Sequence, residues 1–153
     1  MSRLLIVHHS QKGGRGAEAL AAVLEGIADV GGAVECVARP ALAAGVEDLL
    51  AADALLFVTP EYFGYMSGAL KDFFDRTFYA SSGRAAGKPY ALLVVCGNDG
   101  SGAVRAVERI AGGYPLKAAQ PPLILREADF PAGLAQAREL GATLAALLDA
   151  GLL

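Results

Sequence analysis

Ala54-Leu55-Leu56-Phe57-Val58 runs into Thr59-Pro60-Glu61-Tyr62-Phe63-Gly64-Tyr65-Met66 and then into Ser67-Gly68-Ala69-Leu70-Lys71-Asp72-Phe73-Phe74-Asp75-Arg76. The first five residues are apolar without alternation, which predicts a short strand buried on both faces. Thr59-Pro60 is predicted to end it, because proline brings no N–H to a ladder. Beyond the loop, Met66, Ala69, Leu70, Phe73, Phe74, Thr77 and Phe78 recur at three- and four-residue spacing, the pattern of a helix with one buried stripe. Lys71, Asp72, Asp75 and Arg76 fall on its other face, and Ser67 is placed to cap its start. Strand, loop and helix in this order form the repeating unit of a parallel sheet.

The same alternation extends in both directions. Upstream lie the apolar run Leu4 to Val7, a glycine-rich turn at Gly13 to Gly16, and a helical stripe through Leu20, Val23, Leu24, Ile27 and Ala28. Gly31-Gly32 ends that helix, Ala33 to Ala38 reads as a second strand, and Glu47 to Ala52 as a short helix. Downstream, Lys88-Pro89 launches a strand from Tyr90 to Cys96. A helix through Val104, Val107 and Ile110 follows, then a short strand Leu123 to Leu125 behind Pro121-Pro122, and a last helix from Leu134 to Leu148. The prolines mark that last strand as an edge. Five strands alternating with helices predict an α/β, doubly wound parallel sheet with helices on both faces, since parallel neighbours need crossovers. No internal repeat or linker interrupts residues 1–153, which read as a single domain.

Composition narrows the function. Hydrophobic residues make up 54% of the chain and charged ones 19%, a balance that excludes disorder and suits a sheet buried on both sides. Thirteen Lys and Arg against sixteen Asp and Glu give a net charge of -3 with no basic run, which argues against nucleic acid. Leu4 to Val7 is too short for a signal-peptide core, and no stretch reaches the roughly 20 apolar residues of a membrane span. A soluble cytoplasmic protein is expected, with no membrane partner. Cys36 and Cys96 end apolar runs and read as free thiols. His8-His9 sit next to each other on a strand, point to opposite faces and have no third histidine, so no metal site is expected. No G-x-S-x-G elbow is present, which disfavours a serine hydrolase.

In a sheet of this kind ligands bind beyond the carboxyl ends of the strands, where strand order reverses. Three loops should meet there: 8–16, 59–66 and 96–102. In the first, Ser10, Gln11, Lys12, Gly13, Gly14, Arg15 and Gly16 join a strand to a helix, so backbone N–H groups and the helix dipole converge as they would on a phosphate. Lys12 or Arg15 can add charge. A plain tight turn is the competing reading, and neither G-x-G-x-x-G nor a nucleoside-triphosphate loop is present. In the second loop Tyr62, Phe63 and Tyr65 put three rings in four positions, which suits a flat heterocycle with polar edges. Those rings can instead cover the core or meet a second subunit.

These residues carry a resemblance. Thr59-Pro60-Glu61-Tyr62 through Gly64, with Leu70-Lys71 and Asp75-Arg76, resembles the T-P-x-Y-x-G-x-x-x-x-x-L-K-x-x-x-D-R stretch of the flavodoxin-like superfamily, nearest to its small NAD(P)H-dependent FMN reductases and quinone reductases. Ser10-Gln11 and Gly87-Lys88-Pro89 fit the same family. The resemblance implies a flavodoxin-like three-layer sandwich around a five-stranded parallel sheet, with flavin mononucleotide (FMN) as cofactor. It implies that Ser10, Gln11 and the rest of the first loop bind the FMN phosphate, and that Thr59, Pro60, Glu61, Tyr62, Phe63 and Gly64 line the isoalloxazine. Cys96, Gly97, Asn98, Ser101 and Gly102 would then border its pyrimidine edge. Flavodoxins carry threonines around the phosphate, where this chain has Lys12 and Gly16. Asp99, beside a ring that gains negative charge, is expected to face solvent or cap the next helix.

The function implied is an oxidoreductase passing hydride from NADH or NADPH through the flavin to a quinone, a free flavin or another small acceptor. The flavin carries the chemistry, so no side chain is expected to be catalytic. A one-electron carrier of flavodoxin type is the first alternative, weakened by a net charge of only -3 where carriers are strongly acidic. A flavin-free binding subunit is the second. A homodimer is expected, with the aromatic loop and helix 67–79 at its interface.

Overall fold

The computed structural model describes residues 1–153. In chain order it contains β1 (Ser2–His8), α1 (Arg15–Val30), β2 (Val34–Pro40), α2 (Val46–Ala51), β3 (Ala54–Tyr62), β4 (Tyr65–Met66), α3 (Gly68–Ser81) and β5 (Pro89–Cys96). There follow α4 (Ser101–Gly113), β6 (Lys117–Ala118), β7 (Leu123–Arg126), a 3-10 turn (Glu127–Asp129) and α5 (Leu134–Asp149). The sheet runs β2-β1-β3-β5, with β6 and β7 both on the free side of β5. All of these pairings are parallel, and order reverses between β1 and β3.

The sheet has seven strands where five were expected, for two reasons. The fifth position is split. β6 pairs with the start of β5 (Pro89 with Lys117) and β7 with its end (Leu93 with Leu123 to Cys96 with Arg126), while the intervening Pro121-Pro122 has no N–H to offer. The other addition is β4, a two-residue antiparallel arm on β3.

That arm exists because Pro60 does not end β3. In a parallel strand alternate residues address alternate neighbours. The carbonyl of Val58 accepts from the N–H of His9, so Pro60 faces the same β1 side, where β1 has already ended at His8. No donor is needed there, and on the other side β3 stays in register with β5 as far as Pro60–Val95.

Two cores explain the unbroken apolar runs. Leu4, Ile6, Leu56, Val58, Leu93 and Val95 face α1 and α5, whereas Leu5, Val7, Leu55, Phe57, Leu92 and Val94 face α2, α3 and α4. Several residues of the family-like stretch hold this frame together. Arg76 donates to the carbonyls of Ala44 (2.8 Å) and Ala41 (2.9 Å), pinning the connection before α2, and also pairs with Asp72. Lys88 donates to the carbonyls of Ala52 and Leu50 at the end of α2. Arg76→Met should therefore destabilise the protein by about 1–1.5 kcal/mol, a value reduced for the exposure of Arg76, and chemical denaturation would show it as a lower midpoint at unchanged slope. No helix is long and apolar enough to cross a membrane.

Candidate functional site

The carboxyl ends of β1, β3 and β5 are adjacent in the sheet, so the three loops after them meet beside the reversal of strand order. In the first loop the N–H of Gly14 donates to the carbonyl of Gln11 (2.9 Å), closing a tight turn through Gly13, whose φ of +73 favours glycine. The turn packs close over the start of α1: a methyl group on Gly16 would lie 2.7 Å from Ser10 Cβ. No side chain caps α1. The amides of Ser10 to Gly13 and of Arg15 and Gly16 meet no protein acceptor. These donors, the Ser10 hydroxyl and the helix dipole form a cradle suited to an anion.

Only one of the two cations of this loop is without a protein partner. Arg15 pairs with Glu18 and Glu127 (3.1 Å each) and lies 5.0 Å from the centre of the Phe130 ring. The hydrogen bond to Glu127 is the main reason its guanidinium is held above its ordinary pKa. Lys12 is exposed and joins no ion pair. Glu127 and Phe130 escaped the sequence reading, although they follow directly on the last strand and so had to emerge at this same edge.

The second loop is a β-hairpin. Phe63 (φ +53) and Gly64 (φ +72) form its two-residue turn, both left-handed, as the twist of a type I′ hairpin requires. Phe63 is fully exposed, and Tyr62 and Tyr65 are partly exposed. The Tyr62 ring meets His9 edge-on at 6.4 Å, joining the first two loops. His8, one residue earlier, is half-buried, and burial with the neighbouring His9 lowers its pKa. Thr59 turns inward. Fully buried, its hydroxyl donates to the Pro60 carbonyl and accepts from the Ser67 N–H (3.0 Å), so it ties the hairpin base to α3 and does not face the open edge. Ser67 caps α3 by accepting from the Leu70 N–H.

The third loop is bound to the second. Both Glu61 carboxylate oxygens accept backbone N–H groups at the start of α4, from Gly100 and Ala103, each at 3.0 Å. Gly102 lies so close to the hairpin that a methyl group there would run into the Gly64 carbonyl. Asp99 accepts from the Ser101 N–H and hydroxyl, which, with Arg105 and Arg126 nearby, lowers its pKa. The Ser101 hydroxyl expected to address a ligand is thus directed at Asp99. Asn98 is exposed, with its carbonyl taken by Arg126 Nε (2.9 Å), and Gly97 is exposed beside it. Cys96 is buried in the core on the α4 side, and burial pushes its thiol pKa up.

A doubly wound sheet with an anion cradle and an aromatic hairpin at its switch point defines a nucleotide-type cofactor domain. The chain belongs to the NADPH-dependent FMN reductase family, whose sequence profile matches residues 19–123. The family is one of NADPH-dependent FMN reductases, so membership implies FMN as the cofactor.

A 57-residue segment is 47% identical to an NADPH azoreductase of Bacillus sp. (strain OY1-2), covering 37% of this chain and 30% of that protein. An archaeal flavodoxin superposes with a TM-score of 0.74 at 18% identity, over 94% of this chain and 96% of that one. A WrbA-like flavodoxin from Agrobacterium tumefaciens gives 0.70 at 23% over 96% and 97%, and an NAD(P)H:quinone oxidoreductase from Methanothermobacter marburgensis 0.69 at 18% over 94% and 98%. These likenesses establish a flavodoxin-like fold.

Proposed function

We propose that the chain is a reductase in which FMN sits across the three loops and NAD(P)H reduces a small conjugated acceptor, such as a quinone, an azo compound or a free flavin. The observation that carries this is a cradle of unpartnered amides next to a firmly held hairpin of exposed aromatic rings. Bound FMN supplies the hydride chemistry, which no side chain here needs to perform. The amides of Ser10 to Gly13, Arg15 and Gly16 bind the phosphate together with the Lys12 ammonium, Gly14 closes the turn on the Gln11 carbonyl, and the Arg15 side chain stays with Glu127 and shapes the loop. Pro60, Glu61, Tyr62, Phe63 and Gly64 flank the ring, whose polar edge is met by Gly97 and Asn98. The exposed Phe63 and Tyr65 leave the mouth open to flat substrates.

The chain serves as one FMN-binding domain and works as a homodimer. A groove of about 330 Å³ between α3 and α4, lined by Lys71, Phe74, Asp75, Phe78, Tyr79 and Arg109, offers an apolar surface with charges of both signs to a second copy.

The test is to reconstitute the protein with FMN, desalt it, record its mass by light scattering and its absorption, and add NADPH or NADH anaerobically. Flavin bands should be retained and bleach. Bands that persist unbleached would put the electron carrier in its place, and loss of all flavin the binding subunit. Lys12→Gln should weaken FMN about tenfold and leave riboflavin, which lacks the phosphate, unaffected. Equal weakening of both ligands would remove Lys12 from the phosphate site.

A further inference from the structure

α4 starts without a cap of its own. Its first residues follow Gly100, which has no side chain to cap them; the Ser101 N–H finds a local acceptor in the Asp99 carboxylate (3.3 Å), but the N–H groups of Gly100 and Ala103 have none. The acceptor comes instead from β3, where Glu61 reaches across and uses one oxygen for Gly100 and the other for Ala103. Gly64 resting on Gly102 makes a second contact between the same two segments. The Glu61 backbone is paired with Met66 in the hairpin, so its carboxylate ties the hairpin to the start of α4 by hydrogen bonds beside the packing of Gly64 on Gly102.

The electrostatic consequence is separate from the mechanical one. A helix start at the carboxyl edge of such a sheet is a natural place for the negative charge of a ligand. Here a carboxylate of the protein already fills it. A ring that gains negative charge on reduction therefore meets, between these two loops, a fixed anion where free amides would have favoured it.

We infer that Glu61 is a positioning residue that locks the hairpin to α4 and, by filling the helix start with a protein carboxylate, keeps the reduction potential of the bound flavin low. This rests on the FMN reading above. Glu61→Gln keeps the shape and removes the charge, whereas Glu61→Asp keeps the charge and is one methylene too short to reach both amides.

Reductive titration of the three FMN-loaded proteins against a reference dye measures the potential. Glu61→Gln should favour reduced over oxidised flavin about tenfold more than the wild type does, a shift of about +30 mV for a two-electron couple. Glu61→Asp should stay close to the wild-type potential. A side chain that only braces the loops would weaken oxidised and reduced flavin equally, so an unmoved potential in Glu61→Gln overturns the inference even if affinity falls.

Amide hydrogen exchange on the flavin-free proteins tests the lock without any cofactor. Gly100 and Ala103 should exchange faster in both variants, and protection equal to wild type overturns the positioning role. Wild-type protein that retains no flavin on desalting would sink the FMN reading and the potential-setting role with it, while the exchange result would still decide the lock.

Discussion

Gly141→Ala is expected to destabilise the protein by about 3 kcal/mol, at the upper end of the range for overpacking, and to lower its melting temperature by about 6–12 °C. α1 and α5 pack side by side on one face of the sheet and touch backbone to backbone. A methyl group on Gly141 would run into the Val23 carbonyl, and one on Gly26 into the Arg138 carbonyl. No rotamer relieves a clash with backbone, so one helix must move away from the other and from Val23, Ile27, Ala137 and Leu144 in the core between them. The ion pairs of Arg138 with Glu25 (3.1 Å) and Asp29 (2.6 Å) on the same pair of helices would be stretched as well. Alanine's better helix propensity, about 1 kcal/mol, offsets only part of this cost. Gly112 in α4 is the control, since nothing lies within 4 Å of a methyl group there. Gly112→Ala should be neutral or stabilising by about 0.5 kcal/mol. Thermal unfolding of both variants decides the matter, and a Gly141→Ala protein as stable as wild type would mean that the two helices are not in backbone contact.

The distance over which a feature is set decides how much of it can be read from residue order. Buried strands and one-sided helices show up because every residue in Leu4–Val7 or Ala54–Val58 reports its own burial, and the switch-point location follows from their order. The extent of β3 was hidden, because the proline rule assumes a partner strand on the side Pro60 faces, and that side is empty only because β1 stops at His8. Gly26 and Gly141 look like weak points in helices until the other helix is seen against them. In the first loop, Lys12 and Arg15 are equivalent cations on paper; Glu127, more than a hundred residues away, distinguishes them. Glu61 fell within a recognisable motif, yet its role as the cap of α4 depends on a helix start 39 residues further on. The meeting of the three loops was thus legible, whereas the contacts that set each side chain's surroundings run between loops and are encoded in no local pattern.

Gly102 is the position where a single methyl group should separate flavin binding from folding. Gly102→Ala would push the Gly64 carbonyl, and with it the Tyr62–Tyr65 turn, off the first turn of α4. The obstacle is again backbone, so the hairpin must lift or the helix start must unwind, and either change pulls Glu61 away from Gly100 and Ala103. The damage stays local. β4 is a two-residue arm outside the main sheet, and the large core side chains Phe57, Phe73 and Phe74 lie beneath it on β3 and α3. Unfolding midpoints should therefore fall by less than in Gly141→Ala, while FMN affinity drops about 100-fold, the equivalent of roughly 2.7 kcal/mol, because the rings proposed to flank the isoalloxazine are displaced. Riboflavin should weaken by the same factor, since the atoms nearest a methyl group on Gly102 all belong to Gly64 and none to residues 10–16, in contrast to the phosphate-selective loss predicted for Lys12→Gln. Fluorescence titration of the flavin-free protein with both ligands measures the two losses. Wild-type affinity in Gly102→Ala would mean that the hairpin's seat on α4 does not shape the flavin site, and a loss confined to FMN would move the defect to the first loop.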